Sequence, residues 1–392
     1  MTNESLLSAK KVVQEAVEGA TAELVELSHA IAGRPETGFE EHFAAARLGE
    51  VLAAHGMDVE TGVYELDTAL RATTGDGPLV VGLCAEYDAL PGIGHACGHN
   101  VIAASSVGAA IGLGKVADDL GLTVVLLGTP AEEGGGGKIF MLERGAFDGI
   151  HFAMMVHPWP ADRLGAACLA VSHLDVTFEG KDAHAAASPY EGVNAADAMV
   201  ISQVALGLLR QHFRPGNQAH GVVLEAGRAA NVIPSLAKGY FMCRATTLSD
   251  LEELEPRVKH CFEAGAAATG ATLSIESSSP TYTHMEQDSE LLGLYRANAE
   301  TLGRSFEPDD RGDPQPFVST DMANVSLEVP TIHPLIGIQS DGAVNHQPEF
   351  AAACVTPSAD HATVDGAVAL AWTGVDATAD AVRTRLLDQA RS

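Results

Sequence analysis

Apolar runs and amphipathic segments alternate along the first 170 residues. Residues 5–32 and 38–56 show the spacing of amphipathic helices, and Gly56 closes the second. The continuous runs "GPLVVGLCAEY", "GLTVVLLGTP" and "GIHFAMMVHPWP" predict buried strands that end near Glu86, Pro130 and Pro158. Between the first two, "NVIAASSVGAAIGLG" predicts a closely packed helix of small residues. This alternation predicts an α/β layered domain with a central, mostly parallel sheet.

The pattern changes near residue 172. There "VSHLDVTFEG" alternates like a half-exposed strand, and a helix follows with Asn194 as its N-cap and Asp197 three residues later. Further patterns complete the order strand, helix, strand, strand, helix, strand, which is typical of a ferredoxin-like unit. The apolar stripe predicted for its first helix consists of Ile201, Val204, Ala205, Leu208 and Leu209.

The first pattern resumes after this unit. A strand "TIHPLIGI" and a final helix over residues 358–387 follow. The sequence therefore predicts a discontinuous catalytic domain, residues 1–171 and 282–392, with residues 172–281 inserted as a smaller domain.

Charge and cysteine usage narrow the class of protein. The 392 residues carry 52 acidic and 23 basic side chains, a formal charge of −29, which argues against nucleic acid and anionic membranes as partners. Six cysteines without a CxxC pair favour reduced thiols. With no signal-like or membrane-length apolar run, a cytoplasmic globular protein is expected.

Metal-type side chains cluster in four loops that follow or flank predicted strands. The loops are "EYDALPGIGHACGHN", "TPAEEGGGGK", "MMVHPWP" and "SDGAVNHQPEF". Loops at the carboxyl ends of strands gather at one edge of an open α/β sheet, so they are expected to converge. Together they could supply Cys97, His99, Glu133, His157 and His346. Thiolate, imidazole and carboxylate in one set suit zinc, manganese or cobalt.

The adjacent acids Glu132 and Glu133 are the sharpest local feature. Neighbouring side chains in an extended loop diverge, so one carboxylate can bind a metal while the other faces an attacking water. A solvated acidic turn is the ordinary interpretation of such a pair, but the buried strand before it and four glycines after it disfavour that. Taken singly, Cys97 reads as a buried thiol, and His157 and His346 read as core histidines. Only their joint placement favours a metal site.

These loops, together with "DAHAAASPYEGVNAADAM", "ANVIPSLA" and "STDMANVSLEVPTIHP", span nearly the whole chain in order. They resemble the dinuclear metal amidohydrolases, which include aminobenzoyl-glutamate hydrolase, the indole-acetyl-amino-acid hydrolases and the bacterial aminoacylases, cousins of carboxypeptidase G. "AEYDALPGIGHACGHN" and "STDMANVS" look most like the aminobenzoyl-glutamate hydrolase and dipeptidase-like branch.

The resemblance implies roles at the metal centre. Two divalent ions would bind, with Cys97 bridging them and the other four ligands named above completing the two sites. Glu132 would be the general acid and base, and Asp88 would orient a ligand histidine. Glu86 stands where distant cousins have a metal histidine and is not counted as a ligand. His95 is expected to be structural.

It also implies roles for the inserted domain as a lid and as the interface of a homodimer. His184 would stabilise the oxyanion, and Asn231 would lie near the substrate; the alternatives are a plain loop histidine and a turn residue before Pro234. Arg244 is expected to pair with a substrate carboxylate or, equally, with a surface acid. Asp321 is expected to shape the pocket rim, or to be a helix N-terminal acid.

The expected reaction is hydrolysis of an N-acyl amino acid or dipeptide-like small molecule by metal-activated water, with Glu132 as base. Two alternatives belong to other classes. One is a metal-binding assembly protein without catalysis, which the presence of Glu132 disfavours. The other is a cysteine nucleophile at Cys97 beside His99, which a bridging role for the thiolate excludes.

Overall fold

The predicted buried strands form the middle of a six-stranded sheet in the computed structural model, which describes residues 2–306 and 317–389. The described strands are β1 (Asp58–Thr61), β2 (Leu70–Thr74), β3 (Leu79–Glu86), β4 (Leu122–Thr129), β5 (Phe152–Met154), β6 (His157–Trp159), β7 (Ala167–Cys168), β8 (Ala170–Glu179), β9 (Gln218–Ala226), β10 (Leu236–Ala245), β11 (Thr272–Glu276), β12 (Phe317–Val318), β13 (Thr331–Ile332) and β14 (Leu335–Gly337). The described helices are α1 (Asn3–Gly19), α2 (Thr21–Gly33), α3 (His42–Ala54), α4 (His99–Gly114), α5 (Ala117–Leu120), α6 (Gly137–Glu143), α7 (Ala195–Leu209), α8 (Leu248–Thr269), α9 (Ser289–Thr301), α10 (Met322–Glu328), α11 (Pro348–Ala353), α12 (Pro357–Asp376) and α13 (Asp380–Gln389).

The chain divides into two units. The first comprises residues 1–167, 285–316 and 320–392, and the second comprises residues 168–284 and 317–319. The predicted segment 282–392 includes residues 307–316 and 390–392, which lie outside the described part of the chain.

The central sheet of the first unit brings the ends of its buried strands together. Its order is β1-β2-β4-β3-β5-β13, with β3 parallel to both β4 and β5, and β5 parallel to β13. Glu86 pairs in register with Thr129, so the chain leaves both strands at the same edge. A mixed α/β fold with a central, mostly parallel sheet is thereby confirmed, with β1 and β2 as an antiparallel margin.

The small-residue helix packs closely, as predicted. Every residue of α4 from His99 to Leu113 is buried. A Cβ added at Gly108 would lie 2.8 Å from the Cβ of Ala367 in α12. At this crossing the missing side chain lets the two helices approach, which fixes the start of α4 beneath the sheet edge.

Four predicted elements are divided in the structure. The helix predicted over residues 5–32 is interrupted at Ala20, and that predicted over residues 358–387 is interrupted between α12 and α13. The strand "TIHPLIGI" becomes β13 and β14, because β13 pairs with β5 whereas β14 pairs with β6. The strand predicted to stop at Pro158 likewise splits into β5 and β6, and Pro158 lies inside β6.

The second unit contains β8, α7, β9, β10, α8 and β11 in chain order, as the sequence predicts. Its sheet has the order β11-β8-β10-β9, and all neighbouring strands are antiparallel. Asn194 caps α7 as predicted, since its side chain accepts the N–H groups of Ala196 and Asp197.

The predicted apolar stripe of α7 is wrong. Ala198, Met199 and Leu206 are among the residues it buries, whereas Val204 and Leu208 are 59% and 66% exposed. The helix is apolar on two faces, and periodicity cannot distinguish the face that packs on the sheet from the face that does not.

Candidate metal centre

The first metal-type loop connects β3 to α4 and turns sharply at Gly98. Gly98 has φ +80°, and a Cβ there would lie 2.3 Å from Cγ of Pro158 and 3.0 Å from Sγ of Cys354. Only glycine combines this left-handed backbone with so little space. The turn places Cys97 just before α4 and His99 at its first residue.

The second loop carries Glu132 and Glu133 between β4 and α6. It begins with Ala131 at φ +56°, a strained conformation for a residue with a Cβ. Gly134 and Gly136 also have positive φ and let the loop return to the start of α6.

Buried carboxylates hold this loop through its backbone. Glu41, which is fully buried, accepts the N–H of Ala131 at 2.8 Å, and Asp88 accepts the N–H of Glu133 at 2.9 Å. Removing either acceptor would leave a buried N–H unsatisfied. The local strain at Ala131 is therefore maintained by fixed acceptors on other elements.

Two groups of potential ligand atoms share one thiol. The first consists of Cys97, His99 and His157, and the second of Cys97, Glu133 and His346; within each group the ligand atoms lie within 4.8 Å of one another. Sγ of Cys97 is 3.4 Å from Nε2 of His157 and 3.6 Å from Nε2 of His346. Nε2 of His346 is 3.4 Å from Oε1 of Glu133. The structure thus brings together all five predicted ligands, with Cys97 in the position of a bridge.

The imidazoles have the protonation pattern that metal ligands need. Nδ1 of His157 lies 2.9 Å from the carbonyl oxygen of Pro158, and Nδ1 of His99 lies 2.9 Å from Oδ1 of Asp88. With each Nδ1–H donated in this way, each Nε2 presents a lone pair. Burial lowers the pKa of His157 to about 4, which keeps its ring neutral.

Buried polar atoms without a hydrogen-bond partner mark the same place. Within the described residues these include Nε2 of His99 and Oε1 of Glu133. Leaving such atoms unsatisfied is costly, and a bound cation would satisfy them. The donor set and its geometry therefore fit divalent metal ions.

Cys97 is a poor nucleophile in this setting. Burial and the carboxylate of Glu133 raise the pKa of its thiol far above the usual range. A thiolate forms here only with a cation beside it, which supports the ligand over the nucleophile interpretation.

Glu132 lies beside the ligands. Its Oε2 is 3.8 Å from Nε2 of His99, and the residue is 7% exposed. Burial and the carboxylates of Glu86 and Glu133 raise its pKa well above the ordinary glutamate value. A carboxylate with raised basicity next to a metal centre suits proton transfer.

The structure corrects the expected place of Asp321. It lies at the N-cap of α10 and is fully buried, not at a pocket rim. Its Oδ1 is 2.7 Å from Nζ of Lys138, and its Oδ2 accepts the backbone N–H of Lys138 at 2.8 Å. Both oxygens are thus engaged by Lys138, which sequence reasoning missed because nothing in "GGGGK" signals a buried ammonium.

Two further residues near the ligands were not predicted as site residues. Glu86 pairs with Lys138, and its other oxygen is 3.6 Å from Nε2 of His99. His333 is buried with its ring centroid 5.6 Å from that of His157, and burial lowers its pKa to about 3. No sequence signal beyond a histidine next to a proline points to His333. His95 is buried, in keeping with its expected structural role.

His184 and Asn231 come together within the second unit. His184 bridges to Val232, and the N–H of Ala185 donates to the carbonyl oxygen of Asn231 at 3.0 Å. Nδ1 of His184 accepts backbone N–H groups at 3.2 and 3.1 Å, so the ring proton resides on Nε2. His184 is exposed, and its Nε2–H can donate to a bound molecule.

Arg244 lies on β10 of the second unit and is partly buried. Nη1 donates to Oγ of Ser319 at 3.1 Å. Within the described residues no acidic side chain forms an ion pair with Arg244, so the alternative of a surface salt bridge is not observed there. Burial lowers its pKa, as expected for a guanidinium that lacks a carboxylate.

The chain is similar to known proteins over most of its length. The model of peptidase family M20/M25/M40 matches residues 82–361. The chain is 37% identical to mouse Xaa-Arg dipeptidase, over 94% of the chain and 88% of the mouse protein, and 36% identical to the human protein, over 92% and 87%. It is 29% identical to one of the two listed polypeptides of p-aminobenzoyl-glutamate hydrolase from Escherichia coli, over 73% of the chain and 64% of that polypeptide.

Solved structures show the same fold. Bacillus subtilis YxeP, described as a dinuclear metal-binding peptidase, superposes with a TM-score of 0.71 at 21% identity, covering 92% of this chain and 98% of YxeP. The aminobenzoyl-glutamate utilization protein of Klebsiella pneumoniae gives a TM-score of 0.68 at 19% identity, with the same coverages.

Proposed function

The chain belongs to peptidase family M20/M25/M40, whose members related to it hydrolyse dipeptides and N-acyl amino acids, and we propose that it cleaves dipeptides at a centre of two divalent ions. One observation carries the proposal. Cys97 belongs to both groups of ligand atoms, and the buried carboxylate of Glu132 lies beside them.

The residues that would hold the ions are those of the two groups. Cys97 would be common to both, with His99 and His157 on one side and Glu133 and His346 on the other. Thiolate, imidazole and carboxylate together favour zinc or manganese, with cobalt as a further candidate. Bound divalent ions would lower the pKa of a water and polarise the substrate carbonyl.

The proton transfers fall to Glu132. Its raised basicity allows it to take the proton of the attacking water and then deliver that proton to the leaving nitrogen. Asp88 holds both His99 and the backbone of Glu133, so it fixes the two sides of the site relative to Glu132.

The second unit would act as a substrate-covering lid with a ferredoxin-like topology. Its element order and antiparallel sheet support that topology. We propose that Nε2–H of His184 donates to the oxyanion and that Asn231, on the adjoining segment, contacts the substrate.

The substrate is proposed to be a dipeptide with a cationic C-terminal residue. The two relatives that align over nearly the whole chain are named Xaa-Arg dipeptidases. A formal charge of −29 also favours the approach of cationic molecules. The substrate carboxylate would pair with Arg244, which lacks an acidic partner within the described residues.

The test combines metal analysis with a substrate panel. Protein purified without chelator should hold about two ions per chain and release free arginine from Ala-Arg in a chelator-sensitive reaction. Ala-citrulline, which is nearly isosteric and uncharged, should be cleaved with a kcat/KM at least about 10-fold lower.

The panel also separates the substrate branches. Preference for p-aminobenzoyl-glutamate or an N-acetyl amino acid would keep the reaction and replace the substrate class. Absence of chelator-sensitive hydrolysis on every substrate, with zinc, manganese or cobalt added, would overturn the proposal and favour a metal-binding protein without catalysis.

Arg244→Met is expected to raise KM for Ala-Arg by roughly 10–100-fold with a smaller change in kcat, because a charge-assisted pair to the carboxylate is lost. The matched substrate is Ala-Arg amide, which has no carboxylate, and on it wild type and variant should perform alike. Arg228→Met, at an 88% exposed side chain, serves as the control variant. An equal loss on both substrates would place Arg244 elsewhere in the mechanism.

We further propose a homodimer formed through the second unit. Val200, Val204 and Leu208 form an exposed apolar row on α7, and β9 is an edge strand with Val222 and Leu224 exposed.

Val204→Glu with Leu208→Glu is expected to convert a dimer into a monomer, because the charges would be buried without partners. Light scattering coupled to size exclusion gives the mass directly. Leu7→Glu, at an equally exposed leucine of α1, is the control. A wild-type monomer at micromolar concentration, or a double variant that stays dimeric, would contradict this interface.

A cytoplasmic location remains a proposal. All six cysteines are free, which suits a reducing compartment. None of the helices in residues 2–306 and 317–389 is long and apolar enough to cross a membrane.

A further inference from the structure

Lys138 places an ammonium group behind the metal centre. The residue is the second of α6 and is fully buried. Its Nζ lies 2.5 Å from Oε1 of Glu86 and 2.7 Å from Oδ1 of Asp321. Its backbone N–H donates to the second oxygen of Asp321. A lysine this deeply buried requires a specific electrostatic reason.

The same place holds the carboxylate of Glu132. Oxygen atoms of Glu86, Glu132 and Asp321 all lie within 4.8 Å of one another, and the three residues are 1%, 7% and 0% exposed. Three carboxylates at this spacing can chelate a divalent cation. Here the ammonium of Lys138 is bonded to two of them and takes the position of the cation.

The charge of Lys138 is permanent. Burial by itself would lower its pKa, but the carboxylates of Asp321 and Glu86 outweigh burial and raise it. Without this ammonium, three buried carboxylates would repel one another, and the cluster would take up protons or a metal ion.

We infer that Lys138 is a positioning residue: its ammonium acts as a fixed cation that excludes an additional divalent ion from Glu86, Glu132 and Asp321. A third ion there would take an oxygen of Glu132 as ligand and compete with its service as base. The catalytic consequence rests on the proposed function, whereas the exclusion of an ion does not.

A purely structural role makes a different prediction. Lys138 also ties α6 to the N-terminus of α10 through Asp321, so its loss would lower stability in either case. Only the exclusion of an ion predicts that the number of bound ions rises when the ammonium is removed.

The test is ion counting on Lys138→Met, which keeps the length of the side chain and removes its charge. Each protein is stripped with chelator, titrated with Mn²⁺ and measured by elemental analysis after desalting. Wild type should hold two ions per chain and Lys138→Met three. Turnover of the variant should fall about 10-fold or more as Mn²⁺ passes two equivalents, because Glu132 becomes a ligand.

Two further variants control the charge. Lys138→Arg keeps a cation and should bind two ions. Lys138→Met with Asp321→Asn removes one carboxylate of the cluster and should also return to two ions. If Lys138→Met does not fold on its own, Mn²⁺ in the refolding medium should restore a cooperative thermal transition, since the ion replaces the missing charge.

The outcomes separate this inference from the proposed function. Two ions in wild type and two in folded Lys138→Met, or an unfolded variant that Mn²⁺ does not rescue, would overturn the role of Lys138 alone. A wild type with fewer than two ions and no hydrolysis would overturn the proposed function, whatever the variant binds.

Discussion

Glu132→Gln is expected to reduce kcat by roughly 10²–10⁴-fold while the protein keeps its metal ions. The amide has the size of the carboxylate but cannot accept a proton at neutral pH. Because Glu132 belongs to neither of the groups that share Cys97, its loss should leave those groups intact. KM should change little, because a base acts in the transition state.

The measurement is steady-state kinetics alongside metal content for the same preparation. Glu349→Gln makes the identical change at an exposed carboxylate three residues from His346 and should retain wild-type turnover. Retained activity in Glu132→Gln would remove the base from the mechanism. Loss of metal together with activity would instead make Glu132 a ligand.

Cys97→Ser is expected to lose both metal ions and, with them, all hydrolysis. A serine hydroxyl is not deprotonated under conditions in which a metal-bound thiolate forms, and it is a harder ligand. Affinity should therefore fall by more than the roughly 10–100-fold that loss of an outer hydrogen-bond partner costs. Both ions are affected because the thiol belongs to both groups.

Comparison with a ligand of one group sharpens this prediction. His346→Ala should lose one ion and keep the other, since His346 belongs to one group only. Cys261→Ser, on α8, is the matched control because its Sγ donates to the carbonyl of Arg257, a bond that serine can keep. A Cys97→Ser protein that is inactive with two ions bound would revive the cysteine nucleophile.

The site ligands could be identified from sequence because their placement is local. Each ligand lies in a loop that follows or flanks a strand, and the parallel pairing of β3, β4 and β5 brings those loops to one edge. The family resemblance then assigned roles to residues whose geometry is consistent with them. Boundaries were less predictable: β13 and β14 split where neighbouring strands diverge, which no periodicity encodes.

The sequence by itself determined the order of the elements, the ligand set and the position of Glu132, because strand ends, glycine-rich turns and paired acids are patterns within a few residues. Only the tertiary structure decided that Lys138 joins Glu86 and Asp321, which lie 52 and 183 residues away along the chain. It also decided that Asp321 is buried and that the row on α7 faces outward. Burial and ion pairing depend on which distant segments meet, and a local pattern carries no information about that.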